Sequence, residues 1–141
     1  MSTGDVTTKT SISVSLATRL IEGAAKKAET LGKAFAIAIV DESGQLKAFH
    51  RMDGAPLIAT QIAQDKAYTA VGFGMPSHGW HDFIKDDGPL ALGAPAGIDR
   101  LVIFGGGFPI EVDGNMVGAI GVSGGHYSED MEVAEAGLAA V

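Results

Sequence analysis

The sequence of 141 residues contains no cysteine, which excludes disulfide bridges, thiolate metal sites, iron–sulfur clusters and a cysteine nucleophile. It also lacks an apolar run of about 18 residues and a basic segment followed by an apolar one at its start. We therefore expect neither a membrane span nor a signal peptide, and we expect a cytoplasmic protein. Basic residues are few, since 10 Lys and Arg stand against 17 Asp and Glu, giving a net charge of −7. Because nucleic-acid binding depends on Lys and Arg contacts to phosphates, this balance argues against a nucleic-acid partner.

Glycine and apolar residues, by contrast, are abundant. The chain has 20 glycines and 46% hydrophobic residues, and its glycine usage is about twice the average of roughly 7%. The length is typical of one domain, and the apolar fraction is ample for one continuous core. We therefore predict a flexible N-terminal segment over residues 1–12 and a single domain over residues 13–141.

The hydrophobic periodicity predicts alternating groups of helices and strands. A first helix runs from Val14 to Leu31, with Ser13 as its cap and Gly32 at its end. A second helix runs from Pro56 to Gly72, a short helix covers residues 75–85 and is followed by a loop, and Ser128 caps a last helix. The predicted strands are 34–40, 46–53, 101–104, 108–112 and 116–123. This order is typical of an α+β domain with an antiparallel sheet of five strands flanked by helices.

Eight of the 20 glycines lie between Gly105 and Gly125, at the ends of predicted strands. Without Cβ atoms, successive amide N–H groups there could face an anionic ligand such as a carboxylate. The residues predicted to do so are Gly106, Gly107, Ser123, Gly124 and Gly125. The structural alternative is that these glycines form bulges, or clear space for packing helices as at Gly118 and Gly121. Their spacing matches neither GxGxxG nor a Walker loop, which disfavours nucleotide binding.

Four histidines are the candidates for metal binding or proton transfer. His126 follows two glycines and lies near the start of the last helix, where the helix dipole favours a neutral imidazole. Such a ring can be a metal or haem-iron ligand or a general base, and the alternative is an exposed loop histidine. His78 and His81 are three residues apart and on a helix could reach one metal, although an isolated HxxH lacks the glutamate of a zincin. His50 lies either at the edge of the core or in a pocket.

Lys66 lies on the apolar side of the second predicted helix, in line with Ile62 and Ala70. A lysine in this position either extends its ammonium to solvent along an apolar stem or pairs with an acidic group. We expect the first arrangement. A desolvated lysine there could instead act as a base or an anion anchor.

Several motifs together resemble the GlcG/HbpS family, which is also found as the C-terminal domain of PduO-type proteins and is often described as haem-binding or haem-degrading. The resemblance covers residues 36–138. The motifs that carry it are VDESG at 40–44, FHRMDGA at 49–55, DKA at 65–67, IKDD at 84–87, FGGGFPI at 104–110, DG at 113–114 and VGAIGVSGG at 117–125.

The resemblance implies a profilin-like α+β fold, assembly into a homo-oligomer, and binding of haem or a small anionic ligand. If haem binds, it implies His126, His78 or His81 as the iron ligand and Arg51 or Lys66 as contacts of the propionates. Phe73, Met75 and Trp80 would then contact the macrocycle. The alternative is an enzyme of small-molecule catabolism, an isomerase, tautomerase or lyase acting on a carboxylated metabolite. In that case His126, His50 or Lys66 would transfer the proton.

Overall fold

The computed structural model describes residues 4–141, so the first three residues of the predicted flexible segment lie outside the described part of the chain. The fold is α+β, with a four-stranded antiparallel sheet and five helices. The elements are α1 (Val14–Leu31), β1 (Ala36–Asp41), β2 (Leu46–Arg51), α2 (Ala59–Phe73), α3 (Gly79–Ile84), α4 (Gly88–Gly97), β3 (Gly107–Val112), β4 (Asn115–Ser123) and α5 (Tyr127–Leu138). No helix in this part of the chain is long and apolar enough to cross a membrane.

The sheet has the strand order β2-β1-β4-β3 and is covered on both faces. One face packs against α2, where Ala36 and Ala38 meet Ala63. The other packs against α1 and α5, where Ile37 lies in the main core cluster. Residues 36–40 of β1 are buried, as the uninterrupted apolar run predicts for a central strand.

Two features predicted from local sequence are confirmed at α1 and β4. Ser13 caps α1 by accepting a hydrogen bond from the Leu16 amide, and Gly32 ends the helix with a left-handed φ of 68°. At Gly121, a Cβ atom would overlap the Ala63 carbonyl oxygen, so the missing side chain lets α2 pack directly on β4. The packing role proposed for this glycine is therefore correct.

The prediction of a fifth strand over residues 101–104 is wrong, since this segment is not part of the sheet. Side chains of other elements bind its backbone instead. The Thr69 hydroxyl donates to the Arg100 carbonyl and accepts from the Val102 amide. The Ser77 hydroxyl donates to the Phe104 carbonyl. Backbone groups that pair with α2 and the α2–α3 loop are not available for a strand ladder, so β3 begins only at Gly107.

The region predicted as a loop after the short helix is a helix, α4. Asp87 caps it by accepting a hydrogen bond from the Leu90 amide, and Pro89 lies in the first turn, where a missing N–H group is tolerated. The predicted cap of the last helix is also wrong, because His126 and not Ser128 caps α5. Ile12, at the predicted boundary between segment and domain, is buried in the core, whereas residues 4–11 are exposed.

Candidate functional site

Two adjacent open clefts lie beside the N-terminus of α5. The first, here called the His126 cleft, has a volume of about 370 Å³, and the second, the His78 cleft, has about 540 Å³. The rings of Phe104 and Tyr127 line both clefts, and these residues are 45% and 49% exposed. The two clefts therefore form one composite cleft with an aromatic wall in common.

The His126 cleft is formed where β4 ends and the chain turns into α5. Ser123, Gly124, Gly125 and His126 line one side, and α2 contributes Ile62 to the other. A Cβ atom at Gly124 would lie 2.6 Å from the Ala34 carbonyl oxygen, so this turn requires a glycine. Three of the predicted ligand-binding residues, at positions 123–125, are thus brought to the cleft.

His126 is held in place by the capping interactions of α5. Its Nδ1 atom accepts a hydrogen bond from the Ser128 amide at 3.2 Å and lies 2.8 Å from the Ser128 hydroxyl. Its own amide donates to Glu129 Oε1 at 3.0 Å, and Glu129 is in turn bound by Lys33 Nζ at 2.7 Å. The hydrogen bond from Lys33 holds the pKa of Glu129 below its usual range. The imidazole is therefore fixed by a capping box, in which His126 takes the position usual for serine or threonine.

Lys66 and Asp130 form a buried ion pair behind the His126 cleft. Lys66 Nζ lies 2.7 Å from Asp130 Oδ2 and donates to the Val122 carbonyl at 2.9 Å. The side chains are 0% and 3% exposed, so the expectation that Lys66 extends to solvent is wrong and the paired alternative is correct. Burial lowers the pKa of Lys66 and raises the pKa of Asp130, and each charge partly offsets the shift of the other.

Gly106 makes room for this pair. A Cβ atom there would lie 2.8 Å from Lys66 Nζ and 2.6 Å from the Val122 carbonyl oxygen, and its φ of 128° also favours glycine. The Lys66 ammonium lies 5.1 Å from the centre of the Phe104 ring, a cation–π distance. Lys66 therefore supports the aromatic wall of the cleft from behind.

Internal hydrogen bonds occupy two of the glycine amides predicted to bind a ligand. The Gly107 amide donates to Ser77 Oγ at 2.9 Å, and the Gly125 amide donates to Asp130 Oδ1 at 3.0 Å. Gly106 and Gly107 are buried and do not line either cleft. Anion binding by the five predicted residues stays a prediction. Ser123 and Gly124 are the better candidates among them, because they line the cleft and the hydrogen bonds above do not involve their amides.

His78 and His81 line the second cleft, together with Asp82 and Met131. The His78 ring lies edge-on to Phe108, and its Nδ1 atom is buried without a hydrogen-bond partner among the described residues. His81 is exposed, and its Nδ1 atom lies 3.9 Å from Asp82 Oδ1, too far for a hydrogen bond. Within residues 4–141, no three His, Cys, Asp or Glu side chains are arranged to hold a metal ion. His126, His78 and His81 are thus neighbours along the composite cleft and do not form one metal site.

The remaining predicted residues lie outside both clefts. His50 pairs with Ile37, which places it on the face of the sheet that packs against α1 and α5. Arg51 pairs with Ala36, which in turn pairs with Ser123, so Arg51 lies on the α2 face two strands from the His126 cleft. His50 and Arg51 are both exposed and lie on β2, an edge strand of the sheet. The residues predicted to contact a macrocycle also lie apart from the composite cleft, in the cluster around α3 that contains Phe73, Met75 and Trp80.

The sequence matches a protein-family model and is similar to several known proteins. The family model described as haem degrading protein HbpS-like matches residues 12–139. The chain belongs to the HbpS-like family. The GlcG protein of Escherichia coli K12 is 33% identical over 116 residues, which are 82% of this chain and 84% of GlcG. The corrinoid adenosyltransferase PduO of Salmonella typhimurium LT2 is 32% identical over 124 residues, which are 87% of this chain and 37% of PduO. This chain therefore spans little more than a third of that relative.

A solved structure of an HbpS-like relative contains haem. It is the PduOC–haem complex, which is 30% identical to this chain, with a TM-score of 0.85 and a coverage of 93% of this chain and 95% of that one. The predicted resemblance to GlcG, HbpS and the C-terminal domain of PduO is thus confirmed.

Sequence reasoning missed three residues of this candidate site: Asp130, Phe104 and Tyr127. Asp130 carried a usable signal, because it lies in the buried stripe of α5 with Val133, Ala134 and Gly137. An acidic residue in one apolar stripe and Lys66 in another would have predicted their pairing. The aromatic rings carried no such signal, since single exposed aromatic residues are common on protein surfaces.

Proposed function

We propose that the protein binds haem, or a closely related tetrapyrrole, in the composite cleft. The observation that carries the proposal is the haem complex of a relative with 30% identity and the same fold. The two clefts are lined largely by apolar and aromatic side chains and include three imidazoles. Apolar walls and a histidine are what a protein uses to hold haem and to tune its iron.

The residues present fit this ligand better than they fit a small free anion. No Lys or Arg lines either cleft, whereas the carboxyl groups of Asp82 and Asp130 do. A small free anion would therefore meet no facing cation, since the nearby Lys66 is buried and already paired with Asp130, while a large apolar ligand gains affinity from buried area. When bound, haem would supply iron-centred chemistry. The chain itself would supply the aromatic wall, the apolar contacts of Ile58 and Ile62, and a histidine from the His78 cleft. Both His78 and His81 line that cleft, so either imidazole is in a position to serve as the iron ligand.

A haemin titration tests this proposal. The Soret band of haemin should shift on addition of the wild-type protein, and the shift should saturate at a fixed ratio. His78→Ala or His81→Ala should change the position of the band or weaken binding at least tenfold, because one of them supplies the iron ligand. His50→Ala is the matched control, since it removes an imidazole from a residue outside both clefts. The absence of a Soret shift with the wild-type protein would refute the proposal.

The enzymatic alternative, an isomerase, tautomerase or lyase of small carboxylated metabolites, has one observation in its favour. His126 and Asp130, two groups able to transfer protons, line the same cleft. His50 lies on the other face of the sheet, so it does not act on the same substrate from this position. Exchange of carbon-bound hydrogen in candidate carboxylic acids dissolved in D₂O, followed by NMR, tests this alternative. Equal exchange rates for the wild-type protein and His126→Ala would remove His126 from it.

A further inference from the structure

We infer that His126 binds a carboxylate side chain of the ligand through its Nε2–H group and does not ligate an iron atom. This inference rests on the proposed function, because it assigns an acidic substituent of the tetrapyrrole to the His126 end of the composite cleft. It removes His126 from the three histidines that the sequence offers as iron ligands, and it leaves that role to the His78 cleft.

The capping hydrogen bond determines which ring nitrogen carries the proton. The Ser128 amide lies 3.2 Å from His126 Nδ1, and a backbone N–H can only donate. Nδ1 therefore presents its lone pair to the amide, and the Ser128 hydroxyl, which lies 2.8 Å from the same nitrogen and can donate or accept, is compatible with this arrangement. A neutral imidazole has one N–H group, which is then at Nε2. A metal ion needs a free lone pair, and in this arrangement neither ring nitrogen has one to offer.

The ring is not free to turn and exchange these roles. Its neighbour Tyr127 packs against it at a tilt of 37°, with the two ring centres 4.1 Å apart. The His126 amide is held by Glu129, which Lys33 fixes in turn. A rotation that released Nδ1 would leave the Ser128 amide in the first turn of α5 without its cap. The Nε2–H group therefore stays a hydrogen-bond donor.

Three of the backbone amides at the start of α5 are not available as donors to a ligand in the cleft. The amides of Gly125, His126 and Ser128 are all used within the chain, by Asp130, Glu129 and the imidazole respectively. Ser123 lines the same cleft and adds a hydroxyl group. Two neutral donors without a facing Lys or Arg orient a carboxylate but bind a free one weakly. The acceptor that fits is a carboxylate attached to a ligand whose apolar body fills the rest of the composite cleft.

The test compares haemin with its dimethyl ester, in which both propionates are blocked, on the wild-type protein and on His126→Asn. Asparagine is a strong N-cap, so this variant keeps the start of α5 while removing the imidazole N–H group. We expect His126→Asn to weaken haemin binding about tenfold and to leave the Soret maximum of the bound form unchanged. The dimethyl ester should bind the two proteins with equal affinity. The thermal melting curve, read from far-UV circular dichroism, verifies that the variant is folded.

The possible failures are distinguishable. If the wild-type protein binds neither haemin nor the ester, the proposed function fails and this inference fails with it. If haemin binds but His126→Asn moves the Soret maximum, or weakens both ligands equally, the proposed function stands and the assignment of His126 is overturned. Competition by free propionate in large excess would indicate a site for small acids and would also overturn the assignment to a ligand side chain.

Discussion

The Lys66–Asp130 pair gives the sharpest prediction, because the two charges are buried together and each can be removed separately. Lys66 Nζ lies 2.7 Å from Asp130 Oδ2, with the side chains 0% and 3% exposed. We consider Lys66→Met, which keeps much of the side-chain volume, and Asp130→Asn, which keeps an acceptor for the Gly125 amide. The double variant completes the thermodynamic cycle.

The expected magnitude follows from leaving one charge without its partner. Breaking a buried pair by removing one member costs about 3–5 kcal/mol, whereas replacing both members is often close to neutral. Each single variant should therefore lose about 3 kcal/mol or more in the free energy of unfolding. The double variant should lose much less than the sum of the two, with a coupling energy of about 2 kcal/mol or more. Domains are typically stable by about 5–15 kcal/mol, so both single variants should still fold.

The two single variants should respond to pH in opposite ways. Burial already raises the pKa of Asp130, and in Lys66→Met the loss of the cation raises it further. The protonated, neutral carboxyl suits a buried site. The loss in free energy of unfolding of Lys66→Met should therefore shrink as the pH falls, and it should grow as the pH rises through the pKa of Asp130 in the folded state. Burial lowers the pKa of Lys66, and in Asp130→Asn that pKa falls further. The loss in free energy of unfolding of Asp130→Asn should therefore shrink as the pH rises.

Urea unfolding followed by the fluorescence of Trp80 measures these free energies. Trp80 is the single tryptophan of the chain and is 8% exposed, so its emission should change on unfolding. Titrations at two pH values, below and above neutrality, give the pH trends. Additive losses in the double variant, or parallel pH trends in the single variants, would refute the reasoning.

Three further predictions concern individual elements of the fold. Gly106→Ala should lower the free energy of unfolding by about 1–3 kcal/mol, because its Cβ would lie 2.8 Å from Lys66 Nζ. Gly93→Ala, at a helical position with open space around it, is the matched control and should be neutral or slightly stabilising in the same thermal melts. Ser13→Ala should cost about 1 kcal/mol in urea unfolding, because it removes the cap of α1. The predicted homo-oligomer should show a mass above that of one chain in light scattering, and Leu92→Glu, on an uncharged helix where Leu92 is 82% exposed, should lower that mass if α4 lies in the interface.

The elements that could be predicted from the sequence are those whose signals are local. The period of α1, its cap and its terminal glycine all lie within one segment, and the apolar run of β1 indicates burial on both faces. The segment 101–104 has a strand-like composition, but its conformation is decided by hydrogen bonds from Thr69 and Ser77, which are distant in sequence. The glycine and proline content of residues 88–97 is typical of a loop, which is why the sequence does not predict α4. In the structure the helix forms because Asp87 caps it and Pro89 is tolerated in its first turn.

The candidate site was predictable in its parts and not in its arrangement. The sequence points to Ser123, Gly124 and His126, which do meet at one cleft. It gives no means of placing Phe104 beside Tyr127, because that contact depends on how the loop before β3 folds against α5. It also leaves His126 open as a metal ligand, a general base or a surface residue, while the hydrogen bond from Ser128 that argues against the first of these is visible only once the geometry of the turn is known.

The buried pair also determines where α2 can lie on the sheet. The two residues are 64 positions apart in sequence, so the pair forms only when α2 and α5 have both docked. An α-helix turns by about 100° per residue, so a shift of α2 by one residue in register would direct Lys66 away from Asp130 and leave its ammonium group unpaired. The pair therefore favours the register of α2 in which Lys66 meets Asp130.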